Sequence, residues 1–153
     1  MGKEIERKFL VAKDTWRKGN GTKYCQGYLN SAKNRTVRVR TVKDKGYLTI
    51  KGITIDASRL EFEYEIPIKE ADEMLHKLCE KPLIEKNRYK VEHGNLVWEI
   101  DEFFGKNEGL VVVEVELQSV DQEIEKPEWL GEEVTGDPRY FNSNLIQNPF
   151  TKW

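Results

Sequence analysis

Long apolar runs are missing from this 153-residue chain, so no segment reads as a membrane span, and the N-terminus lacks the apolar stretch of a secretory signal. A basic surplus is missing too. The 25 Lys and Arg stand against 27 Asp and Glu, a net charge of -2, which argues against a general nucleic-acid binder. Cysteine is scarce: Cys25 and Cys79 form neither metal-ligand spacing nor a disulfide framework, which points to a cytoplasmic protein with reduced thiols. The two histidines, His76 in a helical stretch and His93 in a turn, read as solvent-facing. No internal repeat, low-complexity segment or composition break divides the chain, so a single domain over 1–153 is expected, and the sequence is compatible with a homodimer.

What the chain does have is charge in alternation. Charged residues make up 34% and hydrophobic residues 38%, with four Trp, so the charge must be organised around a real core. Side chains in a strand alternate between faces. In the first strand, Glu4–Leu10, one face carries Glu4, Glu6 and Lys8 and the other Ile5, Arg7 and Phe9. Seven further strands are expected: Lys23–Leu29, Thr36–Arg40, Tyr47–Lys51, Leu60–Ile66, Ile84–Val91, Leu96–Phe103 and Leu110–Leu117. The spacing of Ala71, Met74, Leu75 and Leu78 predicts a helix over 69–81, ended by Pro82. A helical turn capped by Asp14 is expected around Thr15–Lys18. A loop is expected over 53–58 and a turn-rich stretch at Pro127–Gly131. A final helix is expected to start at Asp137-Pro138, with Tyr140, Phe141, Leu145 and Ile146 available for packing.

Most of these strands carry charge on one face and apolar residues on the other, which suits either a flat sheet with one wet face or a closed barrel with a charged interior. The signs choose between them. Arg38, Arg40 and Lys51 make the third and fourth strands basic, whereas Glu61, Glu63 and Glu65 on the fifth and Glu114 and Glu116 on the eighth are acidic. Exposed ion pairs contribute only about 0–1 kcal/mol, so a free surface has no need for such segregation. A lumen has: an anionic ligand would lie on the basic strands and a divalent cation on the carboxylates. The expected fold is therefore α+β, mainly β: an eight-stranded antiparallel closed barrel, or tunnel, with a charged lumen and flanking helices whose cover takes the barrel's apolar exterior.

These residues resemble the CYTH, or triphosphate tunnel metalloenzyme, family. Its ExExK signature is matched by Glu4, Glu6 and Lys8. Further marks recur in order: Gln26-Gly27-Tyr28, Arg38 with Arg40, Thr49-Ile50-Lys51, Arg59 with Glu61 and Glu63, Lys86 with Arg88, Asp101, and Glu114-Val115-Glu116. The resemblance implies a tunnel that acts on a small anionic triphosphate with one or two Mg2+ or Mn2+ ions, closest to the short bacterial tripolyphosphatases, with neither nucleic acid nor membrane as partner. Class IV adenylate cyclases, also in the family, carry a His-Phe pair ahead of ExExK, where this chain has only Met1-Gly2-Lys3. Lys8, Arg38, Arg40, Lys51, Lys86 and Arg88 are the expected phosphate ligands, and Glu4, Glu6, Glu114, Glu116 and Asp101 the expected metal ligands. Glu61 and Glu63, or Lys86 beside Tyr28, are the expected catalytic groups that position or deprotonate water. A thiamine or nucleoside triphosphatase, a cyclase and a non-catalytic polyphosphate-binding module are the alternatives.

Overall fold

The computed structural model describes residues 3–153; Met1 and Gly2, which the single-domain reading of 1–153 includes, lie outside them. Nine strands are present among the described residues: β1 Lys3–Val11, β2 Thr22–Asn30, β3 Arg35–Val42, β4 Lys45–Gly52, β5 Ser58–Ile66, β6 Ile84–His93, β7 Leu96–Phe103, β8 Val111–Glu116 and β9 Leu130–Glu133. They pair in the order β5-β4-β3-β2-β6-β7-β8-β1-β9, and a further β5–β1 pairing closes the first eight into an antiparallel barrel. The expected barrel is therefore observed, with one strand added. The closing seam is short: Lys3, Glu4 and Ile5 of β1 oppose Leu60, Arg59 and Ser58 of β5. Beyond it the second half of β1 turns instead to β9, with Phe9 opposite Glu133 and Val11 opposite Leu130. β9 begins within the stretch expected to be turn-rich and runs two residues past it, and its four residues show no alternation of their own.

Helix α1, Ile68–Lys77, buries Ala71 and Leu75 on the barrel's outer face with Val39 and Cys79. Two glycines permit this close approach. A Cβ on Gly46 would lie 2.6 Å from the Cβ of Ala71, and one on Gly27 would lie 2.9 Å from that of Cys79. The helix ends four residues earlier than its apolar spacing predicts, so Leu78 is left exposed. The expected turn of helix at Thr15–Lys18 is a plain turn, closed by the Arg17 amide on the Asp14 carbonyl, and it buries Trp16 against Tyr89. The expected final helix is broken. Asp137 caps a 3-10 turn, Pro138–Tyr140, and α2 is only Asn142–Leu145.

Helices therefore cover less of the exterior than expected. Irregular chain does much of the work: Leu117, Ile124 and Trp129 cover Phe9, Trp98 and Val115, while Leu145 at the end of α2 and Ile146 after it pack with Ile84, Phe103 and Val112. Each such large apolar side chain contributes about 1.5–3 kcal/mol on full burial. On the outer face of β5, Ile66 packs into the α1 cluster while Leu60, Phe62 and Tyr64 are 58%, 45% and 57% exposed. No helix of the described residues is long and apolar enough to cross a membrane.

Candidate active site

The strand order places the charges. β4, β3, β2 and β6 are consecutive round the wall, as are β7, β8, β1 and β5. Lys51, Arg38, Arg40, Lys86 and Arg88 thereby form one contiguous basic half. Asp101, Glu99, Glu114, Glu116, Glu6, Glu4, Glu61 and Glu63 dominate the other, with Lys8 and Arg59 among them. The bore between them is a cavity of about 280 Å³. Among the expected residues, Lys8, Tyr28, Arg38, Arg40, Lys51, Lys86, Arg88, Glu4, Glu6, Glu61, Glu63, Glu114 and Glu116 all line it; Asp101 does not.

Register explains the local pairings. Lys51 sits opposite Glu61, Thr49 opposite Glu63, and Lys8 opposite Glu114. Glu63 accepts from the Thr49 hydroxyl at 2.8 Å and from Arg40 at 3.2 Å, with Arg38 at 3.5 Å. Lys51 lies 3.2 Å from Glu4 and 3.5 Å from Glu61. Tyr24 floors the basic half, with the guanidinium carbons of Arg40 and Arg88 5.1 and 5.0 Å from its ring centre. Burial and the neighbouring Arg38 and Arg88 push Arg40 down to about 10. A cationic wall dense enough to perturb an arginine is one that an anion would stabilise.

Asp101 lies beneath Lys86 and Arg88, 1% exposed. Its carboxylate accepts from Lys86 at 2.7 Å and from Arg88 at 2.7 and 2.8 Å, so both of its oxygens are committed to cations. Asp101 stands opposite Arg88 on the same strand face, and with both oxygens engaged it orients the two cations from beneath. Burial works against its charge, but Arg88 and Lys86 outweigh it and hold its pKa below the usual range. Burial likewise pushes Lys86 down to about 8, opposed by Asp101.

Lys86 and Tyr28 do not pair directly. Lys86 donates to Asn142 Oδ1 at 3.3 Å, Gln26 Nε2 donates to the same oxygen at 3.3 Å, and Gln26 reaches the Tyr28 hydroxyl at 3.5 Å. Burial raises the Tyr28 hydroxyl above its ordinary value, against the pull of Arg38 and Arg59. Sequence reasoning assigned no role to Asn142, which α2 brings from 56 residues beyond Lys86. It assigned none to Arg59 either, although Arg59 shares the parity of Glu61 and Glu63; its Nε lies 3.1 Å from Glu4.

The four glutamates expected to hold metal divide into two kinds. Glu4 is paired with Lys51 and Arg59; Glu114 lies 3.4 Å from Lys8 and 3.3 Å from Arg88. Burial penalises the charge of Glu114, yet Lys8, Arg88 and the other lysines hold it far below the ordinary carboxylate value. Glu6 and Glu116 face each other across β1 and β8, and neither has an ion-pair partner among the described residues. Burial, then the carboxylates of Glu114 and Glu4, raise Glu6 to about 8; burial and Glu4, Glu61 and Glu99 raise Glu116. Two adjacent carboxylates that lack a cation are suitable donors for a hard divalent ion. No three acidic, His or Cys residues among the described residues form a ready-made cage.

A closed barrel whose bore sets a cationic half against carboxylates defines a charged-tunnel protein. The chain belongs to the CYTH domain family, whose model matches residues 2–147. It is 56% identical over 151 residues to an inorganic triphosphatase of Acetivibrio thermocellus, covering 98% of this chain and 97% of that one. It is 39% identical over 147 residues to an inorganic triphosphatase of Nitrosomonas europaea, covering 93% and 95%. The solved crystal structure of the inorganic triphosphatase NE1496 matches with a TM-score of 0.65 and 35% identity, over 94% of this chain and 93% of that one.

Proposed function

We propose that this protein hydrolyses inorganic tripolyphosphate to pyrophosphate and phosphate with the help of a divalent cation, Mg2+ or Mn2+. The observation that carries the reading is the bore itself, a five-cation wall opposite the unpaired Glu6 and Glu116. The bore, about 280 Å³, has room for a short phosphate chain. The full-length likeness to two inorganic triphosphatases supports the same substrate. Cys25 and Cys79 are not paired with each other, and a cytoplasmic setting is part of this reading.

In this reading Arg38, Arg40, Lys51, Arg88 and Lys8 hold the phosphate oxygens in line and neutralise charge on the transferred group, which is most of what phosphoryl transfer requires. Water attacks the terminal phosphorus, the bond to the bridging oxygen breaks, and pyrophosphate leaves with the electron pair. Glu6 and Glu116, flanked by Glu4 and Glu114, would hold the cation, which supplies charge neutralisation at phosphate oxygens and a lowered pKa for water. The water's proton has two acceptors within the bore: Lys86, half neutral near pH 8, and the Glu61–Glu63 pair on β5. Asp101 keeps Lys86 and Arg88 aimed at the chain. A single assay tests the reading: tripolyphosphate or ATP with Mg2+ or Mn2+, resolving orthophosphate, pyrophosphate and cyclic AMP. Equimolar phosphate and pyrophosphate from tripolyphosphate is the expected result. Absence of phosphate release with either metal would overturn it.

One observation favours a substituted triphosphate as second reading. A chamber of about 510 Å³ adjoins the bore, walled by Ile53, Pro138 and Phe141 and sharing Arg59 with it, with room for an organic group on the terminal phosphate. Faster turnover of ATP than of tripolyphosphate would select it.

Glu6 also dictates a pH effect. Its folded pKa of about 8 lies above the ordinary carboxylate value of 4.5, so the folded state binds its proton more tightly. The stabilisation this proton provides is complete below about pH 4.5 and is lost as pH rises through about 8. Melting of the metal-free protein should therefore fall between pH 5 and pH 9, by about 5 °C or more given roughly 2–4 °C per kcal/mol for a chain of this size. Added Mg2+ should restore most of it at the alkaline end. A flat pH profile would remove Glu6 from the cation site.

A further inference from the structure

The alternation that aims the carboxylates of β5 into the bore aims Leu60, Phe62 and Tyr64 outwards. On neighbouring strands the outward apolar residues are covered, as Val39 is by α1 and Trp98 by Trp129. On β4 and β5 the α1 cluster takes in Leu48 and Ile66 but leaves Ile50, Leu60, Phe62 and Tyr64 40%, 58%, 45% and 57% exposed, and Ile50 and Phe62 are direct cross-strand partners. We propose that this face packs on the same face of a second copy of the chain, forming a two-fold dimer.

The character of the face selects the occupant. In a chain with 34% charged residues, the outward positions from Gly46 to Gly52 on β4 and from Leu60 to Ile66 on β5 carry no charge. A nucleic acid or an acidic peptide finds nothing there to bind. A second copy brings an identical charge-free face, and two-fold symmetry makes such a contact self-complementary. Area agrees. The four side chains expose roughly 400 Å² in all, taking about 200 Å² for each when fully exposed. A standard interface needs about 800 Å² per partner, a little over half of it apolar. These four supply that core and leave the rest to a polar rim.

The contact is face to face and not edge to edge. From Glu61 to Ile66 the edge of β5 away from β4 pairs with no strand among the described residues, which would offer a place for strand addition. Joining two such edges antiparallel would, however, set the row Glu61, Glu63 and Glu65 against its own copy, and like charges across a strand pair are destabilising. Burying the outer face also steadies the strand whose inner face carries Glu61 and Glu63.

Light scattering coupled to gel filtration, over low to high micromolar protein, tests the proposal. The wild type should run at the mass of two chains. Phe62→Glu, and independently Tyr64→Glu, should run at the mass of one while keeping a cooperative melt and a β-rich circular dichroism spectrum. Val97→Glu, at an equally exposed apolar site on β7, should stay at two. A wild type of one-chain mass at every concentration overturns the proposal. So does a folded Phe62→Glu protein that remains paired, or a Val97→Glu protein that dissociates as readily. A one-chain wild type that cosediments with neutral lipid vesicles assigns the face to lipid and overturns it equally.

Discussion

Asp101→Ala is expected to destabilise the protein by about 3–5 kcal/mol, the usual cost of leaving a buried charge without its partner. Here two are left. Lys86, Arg88 and Asp101 are 1%, 9% and 1% exposed, and the carboxylate is held by three charge-assisted bonds of 2.7–2.8 Å. At roughly 2–4 °C per kcal/mol the melting temperature should drop by about 10 °C. The pH dependence has a definite sign. The folded pKa of Asp101 is depressed, so its stabilisation is present above the unfolded value of about 3.9 and is lost as pH falls through the folded one. The gap between wild type and variant should therefore narrow in acid. Denaturant titrations at neutral and acid pH measure it, and a loss under 1 kcal/mol at pH 7 would show that Asp101 does not anchor the basic wall.

Glu116→Gln and Glu6→Gln should do the reverse, reducing turnover by a factor on the order of 10²–10³, the scale for removing one electrostatic group from a phosphoryl or acyl transfer site, with the fold intact. Neither residue has an ion-pair partner to lose among the described residues. Glu6→Gln also relieves repulsion from Glu114 and Glu4, so the metal-free variant should melt no lower than wild type at alkaline pH, and its melting temperature should change less than that of wild type between pH 5 and 9. Excess Mg2+ should recover part of the lost turnover. Unchanged turnover in both variants would place the cation elsewhere in the bore. The two experiments separate residues that hold the wall together from residues that wait for a ligand.

Much of this arrangement was legible beforehand because alternation is a local property. Each of Glu6, Lys8, Arg38, Arg40, Lys51, Lys86, Arg88 and Glu114 lies on the face its parity predicts, and the eight barrel strands fall where the runs place them within a few residues. The misses share a cause. β9 is four residues long with no pattern of its own, and it exists because the second half of β1 needs a partner past the short β5 seam. Trp16 and Trp129 are core residues carried by irregular chain, where no periodicity marks them. Leu78 fits the helical spacing but lies past the point where the helix stops.

The sequence by itself determined which side chains face the bore and what charge each strand carries, since a pleated backbone turns successive residues to opposite faces whatever surrounds it. Which strands become neighbours was decided only by the tertiary structure. β6 pairs with β2 across α1, and that single non-local pairing joins Lys86 and Arg88 to the arginines of β3. The same closure brings Glu6 and Glu116 face to face and commits Asp101 to Lys86 and Arg88. Cross-strand distance sets how strongly these charges act on one another, and no sequence spacing contains it.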